Sequence, residues 1–72
     1  MSTIVDARGF SCPQPVLMTM DEMKKAGNGE ILILVDTETS KENVSRAAES
    51  RGWKVKDIRM DGNDYHLTIV KD

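Results

Sequence analysis

Distinctive side chains are scarce in these 72 residues, which hold one cysteine, one histidine, two prolines, and one each of tryptophan, tyrosine and phenylalanine. A lone cysteine, Cys12, cannot close an internal disulfide, so no disulfide framework holds the fold. A Cys-x-x-Cys pair is absent too, which removes redox cycling through the chain's own disulfide. His66 has no second histidine or cysteine that could complete a zinc site with it and Cys12. There is no glycine-rich phosphate loop, no internal repeat and no low-complexity tract.

Excess positive charge is lacking as well. Ten Lys and Arg against twelve Asp and Glu give a net charge of −2. A protein that grips phosphate backbones needs the opposite balance, and the few aromatics offer little for base stacking. The longest apolar run, Ile31 to Val35, is far too short to span a bilayer. The amino terminus, Met1-Ser2-Thr3-Ile4-Val5-Asp6, lacks the basic and long apolar stretches of a signal peptide. A cytoplasmic, thiol-reducing setting is expected, with no direct nucleic-acid contact, no membrane contact and no cofactor. One domain over residues 1–72 is expected, as a monomer. A chain of this size buries only about 60% of the surface its unfolded form exposes. Its site should therefore be shallow rather than enclosed.

The pattern of what is present predicts an α+β fold. Thr3 to Ala7 reads as a short strand, and Arg8-Gly9-Phe10-Ser11 as a loop. Val16, Met20 and Met23 recur at helical spacing over about Pro13 to Ala26, with Leu17 flanking the stripe and Gly27 as the stop. Ile31 to Val35 reads as an interior strand. Thr39 and Glu42 match a capping box for a second helix, whose apolar stripe is Val44, Ala47 and Ala48. Trp53 to Met60 and Tyr65 to Lys71 form a hairpin around Asp61-Gly62-Asn63-Asp64. Trp53 and Val55 share one parity and Ile58 and Met60 the other, so a bulge near Lys56-Asp57 is needed to bring all four to one face. The order βαβαββ implies a two-layer α/β sandwich: a four-stranded mixed sheet with both helices on one face.

The informative stretch is Cys12-Pro13-Gln14-Pro15. Proline suits the first helical position, which assigns Pro13 to it and Cys12 to the N-cap. Pro15 has no N–H, so the Gln14 amide is the natural donor to the Cys12 sulfur. A sulfur there feels the positive end of the helix dipole, which favours thiolate over thiol. The prolines stiffen its presentation, and Gly9 and Ser11 leave little bulk to cover it.

The run from Asp6 through Arg8, Gly9, Cys12, Pro13, Gln14 and Pro15 to Val16 resembles the signature of the TusA family, also called SirA-like or YedF-like proteins. The likeness extends through Ile31 to Val35 into the helix that follows. Many YedF-like proteins carry a second domain, whereas the likeness here is to one. The resemblance implies a sandwich like the carboxy-terminal domain of a bacterial translation initiation factor, and a sulfurtransferase-like carrier role. Cys12 would accept sulfur from a cysteine desulfurase or rhodanese-like donor, hold it as a persulfide and relay it to an acceptor protein. Arg8, Gly9, Pro13, Gln14 and Pro15 would form the binding surface around it. In the best-known branch the relay ends in tRNA thiolation. Asn43-Val44, Arg46 and Gly52 look more like the YedF branch, linked to selenium metabolism.

Other residues invite plainer readings. His66 has the opposite parity to Tyr65 and Leu67, and is expected on the sheet surface away from the helices. Met18 falls off the helical stripe and is free for a partner surface. Asp36 and Glu38 read as solvated loop charges. Two further functions compete with the carrier: a thiol-redox protein that borrows a partner thiol, and a regulatory interaction module acting through Cys12.

Overall fold

The computed structural model of the chain describes residues 2–10 and 13–71; Met1, Ser11, Cys12 and Asp72 lie outside the described residues. The elements run β1 (Ser2–Asp6), α1 (Gln14–Ala26), β2 (Gly29–Val35), α2 (Glu38–Ser50), β3 (Lys54–Asp61) and β4 (Asp64–Lys71). The strands form one mixed sheet in the order β1-β2-β4-β3, in which β1 runs parallel to β2 and β4 runs antiparallel to β2 and β3. This is the expected βαβαββ sandwich.

Strand periodicity sets the two faces. Ile31, Ile33 and Val35 of β2 and Leu67 and Ile69 of β4 are wholly buried, and they join Val5, Met23, Val44, Ala48 and Trp53 in one core beneath the helices. The alternate residues Leu32, Leu34, His66, Thr68 and Val70 are half-buried on the helix-free face. His66 stands there, as its parity requires. Among the described residues no helix is long and apolar enough to cross a membrane.

The expected bulge is present: the β3 register shifts between Val55 and Asp57. It puts Ile58 opposite Leu67 and Met60 opposite Tyr65, on the helix side. Even so, Ile58 is 43% and Met60 68% exposed. An edge strand in a twisted sheet carries its outer residues beyond the cover of the helices. Trp53, just before β3, is buried and donates its N–H to the Ala48 carbonyl at 3.0 Å. Gly62 opens the two-residue hairpin turn with a positive φ of 65° that a side chain would resist.

Both helix starts differ from expectation. Helix α2 is capped by Thr37, whose hydroxyl accepts from the Ser40 N–H at 3.1 Å, and not by Thr39. Starting at Glu38, the helix lines up Ser40, Val44 and Ala48 on its buried inner face. Helix α1 begins at Gln14 with Pro13 in the cap position, and not at Pro13 with Cys12 as the cap. Pro13 has φ −97° and ψ 14°, outside the helical well, while its carbonyl already accepts the first helical bond from Leu17 N–H at 3.1 Å. The inner face of α1 is Pro15, Thr19 and Met23. Val16 and Met20 pack at its margin, and so does Met18, which is therefore part of the core boundary rather than a free surface residue. Thr19 is buried because its hydroxyl donates to the Pro15 carbonyl at 2.9 Å.

Candidate functional site

The loop from β1 to α1 leaves the sheet at the carboxyl end of β1. Ala7, wholly buried, extends the parallel pairing by donating its N–H to the Leu34 carbonyl at 2.9 Å. The chain then turns at Arg8, whose own N–H donates to Asp6 Oδ1 at 3.2 Å. Its guanidinium forks onto the same carboxylate, Nε to Oδ1 at 2.9 Å and Nη2 to Oδ2 at 2.8 Å. Nη1 reaches Asp64 Oδ2, at the start of β4, at 3.1 Å. The planar fork thus joins the end of β1 to the start of β4, a geometry a lysine could not reproduce.

Gly9 follows with a φ of 82°, where an added side chain would be strained although nothing lies within 4 Å of the place its Cβ would take. Its N–H donates to Asp36 Oδ2, just past β2, at 2.8 Å. Asp36, read from the sequence as a solvated charge, is instead a half-buried acceptor for the loop. Asp64, read from the sequence only as a residue of the hairpin turn, is a partner of Arg8. Neither role carries a local sequence signal, since the partners lie 27 and 56 residues away.

Electrostatics follow from the fork. The Arg8 guanidinium, aided by the Arg8 amide, holds the Asp6 carboxyl down at about 2. The Asp6 and Asp64 carboxylates hold the Arg8 guanidinium above its ordinary value. Arg8 and Asp6 are about half exposed, at 43% and 52%, so water screens the pair and its worth is chiefly geometric.

On the far side of the loop Pro13 and Gln14 are exposed, whereas Pro15 is buried at the second helical position. No side chain among the described residues caps α1, and its first turn holds no acid. The start of α1 therefore keeps the positive end of its dipole without a carboxylate of its own first turn to offset it. The expected bond from the Gln14 amide to the Cys12 sulfur lies outside the described residues. Phe10 and Leu17, flanking Cys12 in sequence, are 48% and 53% exposed. Among the described residues no group of His, Cys, Asp and Glu is arranged to hold a metal ion. His66 lies on the face of the sheet away from α1, with Nε2 3.9 Å from Asp61 Oδ2.

Known proteins resemble this chain along nearly its whole length. The family described as sulfurtransferase TusA matches residues 3–71. A protein of Escherichia coli named as a candidate sulfur carrier, YedF, is 35% identical over 68 residues, covering 93% of this chain and 88% of that protein. A candidate sulfur carrier of Methanocaldococcus jannaschii is 32% identical, covering 93% of this chain and 91% of its own length. The crystal structure of a SirA-like protein from Desulfitobacterium hafniense superposes with a TM-score of 0.85 at 32% identity, covering 97% of this chain and 96% of that one.

Proposed function

The chain belongs to the TusA family of sulfur carriers, and on that premise we propose that Cys12 accepts sulfur as a persulfide from one protein and passes it to another. The observation that carries this reading is the place of the chain's single cysteine. It precedes Pro13, the cap residue of a helix whose start has no side-chain cap among the described residues and no acid in its first turn. Negative charge on sulfur at that point is favoured by the helix dipole and by the Gln14 and Val16 amides.

The chemistry needs no cofactor. A donor such as a cysteine desulfurase or a rhodanese-like protein presents its own cysteine persulfide. The Cys12 thiolate attacks the outer sulfur, a new S–S bond forms on Cys12, and the donor's S–S bond breaks. The electron pair leaves with the donor's thiolate, so no net oxidation occurs. Delivery repeats the exchange with the acceptor's thiolate as the attacking group. Pro13 limits the freedom of the backbone beside the sulfur, and buried Pro15 anchors the helix start behind it. Half-exposed Phe10 and Leu17 offer an apolar rim to the partner. The reading sets the protein in the cytoplasm, where Cys12 stays a free thiol between loadings.

Mass spectrometry tests this directly. Incubated with a cysteine desulfurase and cysteine, the protein should gain the mass of one sulfur atom, and a thiol reductant should remove it. A glutathione mixed disulfide as the sole adduct, with no persulfide from either class of donor, would move the protein to the thiol-redox class.

A further inference from the structure

We propose that Asp36 and Asp64 are positioning residues that hold the Arg8-Gly9 turn against the ends of β2 and β4, and thereby aim Cys12 at its sulfur donor and acceptor. This rests on the carrier role of Cys12 proposed above.

The two aspartates do complementary things to adjacent residues. Asp36 takes the Gly9 backbone N–H at 2.8 Å, and Asp64 takes Nη1 of Arg8 at 3.1 Å. Asp6 holds the rest of the guanidinium at 2.8 and 2.9 Å, which leaves the fork one direction in which to reach Asp64. The loop's entry is thus pinned from β1, from the end of β2 and from the start of β4. Its exit is pinned as well, because the Pro13 carbonyl accepts from Leu17 N–H at 3.1 Å. Only Phe10, Ser11 and Cys12 lie between these anchors.

Stability alone does not call for such an arrangement. Exposed ion pairs contribute little to folding, and the Arg8–Asp64 pair is exposed. Sulfur transfer between two cysteines does call for it, because the attacking and leaving sulfurs must meet in line. A misplacement of about 1 Å can cost on the order of 10²-fold in rate. Hydrogen bonds from adjacent residues to two separate strand ends are a direct means of limiting that error.

Four variants test the proposal: Asp36→Ala, Asp36→Asn, Asp64→Ala and Asp64→Asn. Three readouts apply to each, namely the rate of loading by a cysteine desulfurase with cysteine, the alkylation rate with iodoacetamide across pH, and the Gly9 amide resonance. Either alanine variant should load on the order of 10-fold more slowly while remaining folded. The same variants should alter the iodoacetamide profile, because the sulfur's surroundings change. Asp36→Asn keeps an acceptor oxygen, so it should preserve the Gly9 amide shift and recover loading to within about 3-fold of the parent protein. Wild-type loading in both alanine variants would overturn the proposal. So would Asp36→Asn as slow as Asp36→Ala, since charge rather than the hydrogen bond would then matter. A variant slowed with the desulfurase but unchanged toward iodoacetamide would mark a docking residue, which also overturns it. If the parent protein gains no sulfur at all, the carrier reading fails on its own, and the alkylation and amide readouts still decide whether these aspartates set the loop.

Discussion

The two helices are each 13 residues long and pack on the same face of one sheet, yet their first turns are built in opposite ways. Helix α2 opens with Thr37 accepting the Ser40 amide and with Glu38 in its first turn, so one orphan amide is capped and the dipole is met by an acid within the element. Helix α1 opens with Pro13 in the cap position and Pro15 at the second helical position, with no side-chain cap among the described residues and no acid in its first turn. The approach to α1 is held instead from outside the helix, by Asp6, Asp36 and Asp64 acting on Arg8 and Gly9. One helix start is completed for stability. The other carries no acid in its first turn, and in sequence the chain's single cysteine comes just ahead of its Pro13 cap. Changes on the α2 side should therefore register in folding, and changes on the α1 side in sulfur transfer.

The largest expected effect is at Cys12. Cys12→Ser should lose sulfur loading entirely while keeping its denaturant midpoint, because serine is close to cysteine in size and suits the approach to a helix. Loading that survives the substitution would erase the contrast between the two starts. The next effect is the mirror image. Trp53 closes the core behind α2 at 3% exposure, and Trp53→Ala should cost about 3–5 kcal/mol in unfolding free energy. That is a large part of the roughly 5–15 kcal/mol a domain possesses. The fraction that stays folded should still load sulfur. A neutral change in the urea midpoint would mean that Trp53 does not carry the packing assigned to it.

A smaller pair of substitutions compares the starts themselves. Thr37→Ala should lower stability by about 0.5–2 kcal/mol and leave the loading rate alone. Pro13→Ala should do the reverse, slowing loading or delivery with little change in thermal midpoint, because it frees the backbone beside the sulfur. If Thr37→Ala also slowed transfer, the two starts would be coupled and the division of labour would fail.

Much of this architecture is legible in the sequence because it is written in short-range pattern. The short apolar run of β2 with its flanking Gly29 and Asp36, the alternation of Leu67 and Ile69, and the parity break at Lys56-Asp57 each point to one arrangement, and the structure adopts it. The α2 cap is not legible, because Thr37 and Thr39 stand two residues apart and the capping-box pattern favours the wrong one. The bond from the Ser40 amide to the Thr37 hydroxyl decides between them. The exposure of Ile58 and Met60 is also hidden, since it depends on how far the helices reach across a twisted edge. At the site, Cys12-Pro13-Gln14-Pro15 announces itself, while Asp36 and Asp64 do not. Their partners are set by the sheet order, which brings the ends of β1 and β2 beside the start of β4.

The smallest expected effect separates the two starts by pH. Thr37 has no proton to lose or gain in the acid range, so the α2 cap should be indifferent there. The α1 approach should not be. Asp6 has its carboxyl lowered from an ordinary 3.8 to about 2, chiefly by the hydrogen bonds from the Arg8 side chain and then by the Arg8 amide. A carboxyl lowered on folding lends its support fully above the unfolded value and withdraws it as pH falls through the folded one. The Arg8 fork should thus be intact above 3.8 and lost as pH drops through about 2. Followed by NMR, the Asp6 carboxyl carbon and the Arg8 amide should titrate together with a midpoint near 2, while the Ser40 amide stays still. Arg8→Ala should return the Asp6 midpoint toward 3.8, since the largest cause of the shift is then gone. An Asp6 midpoint already at 3.8 in the unaltered protein would mean that the Arg8–Asp6 contacts are open in solution, and that the α1 approach is held by Asp36 and Asp64 without Asp6.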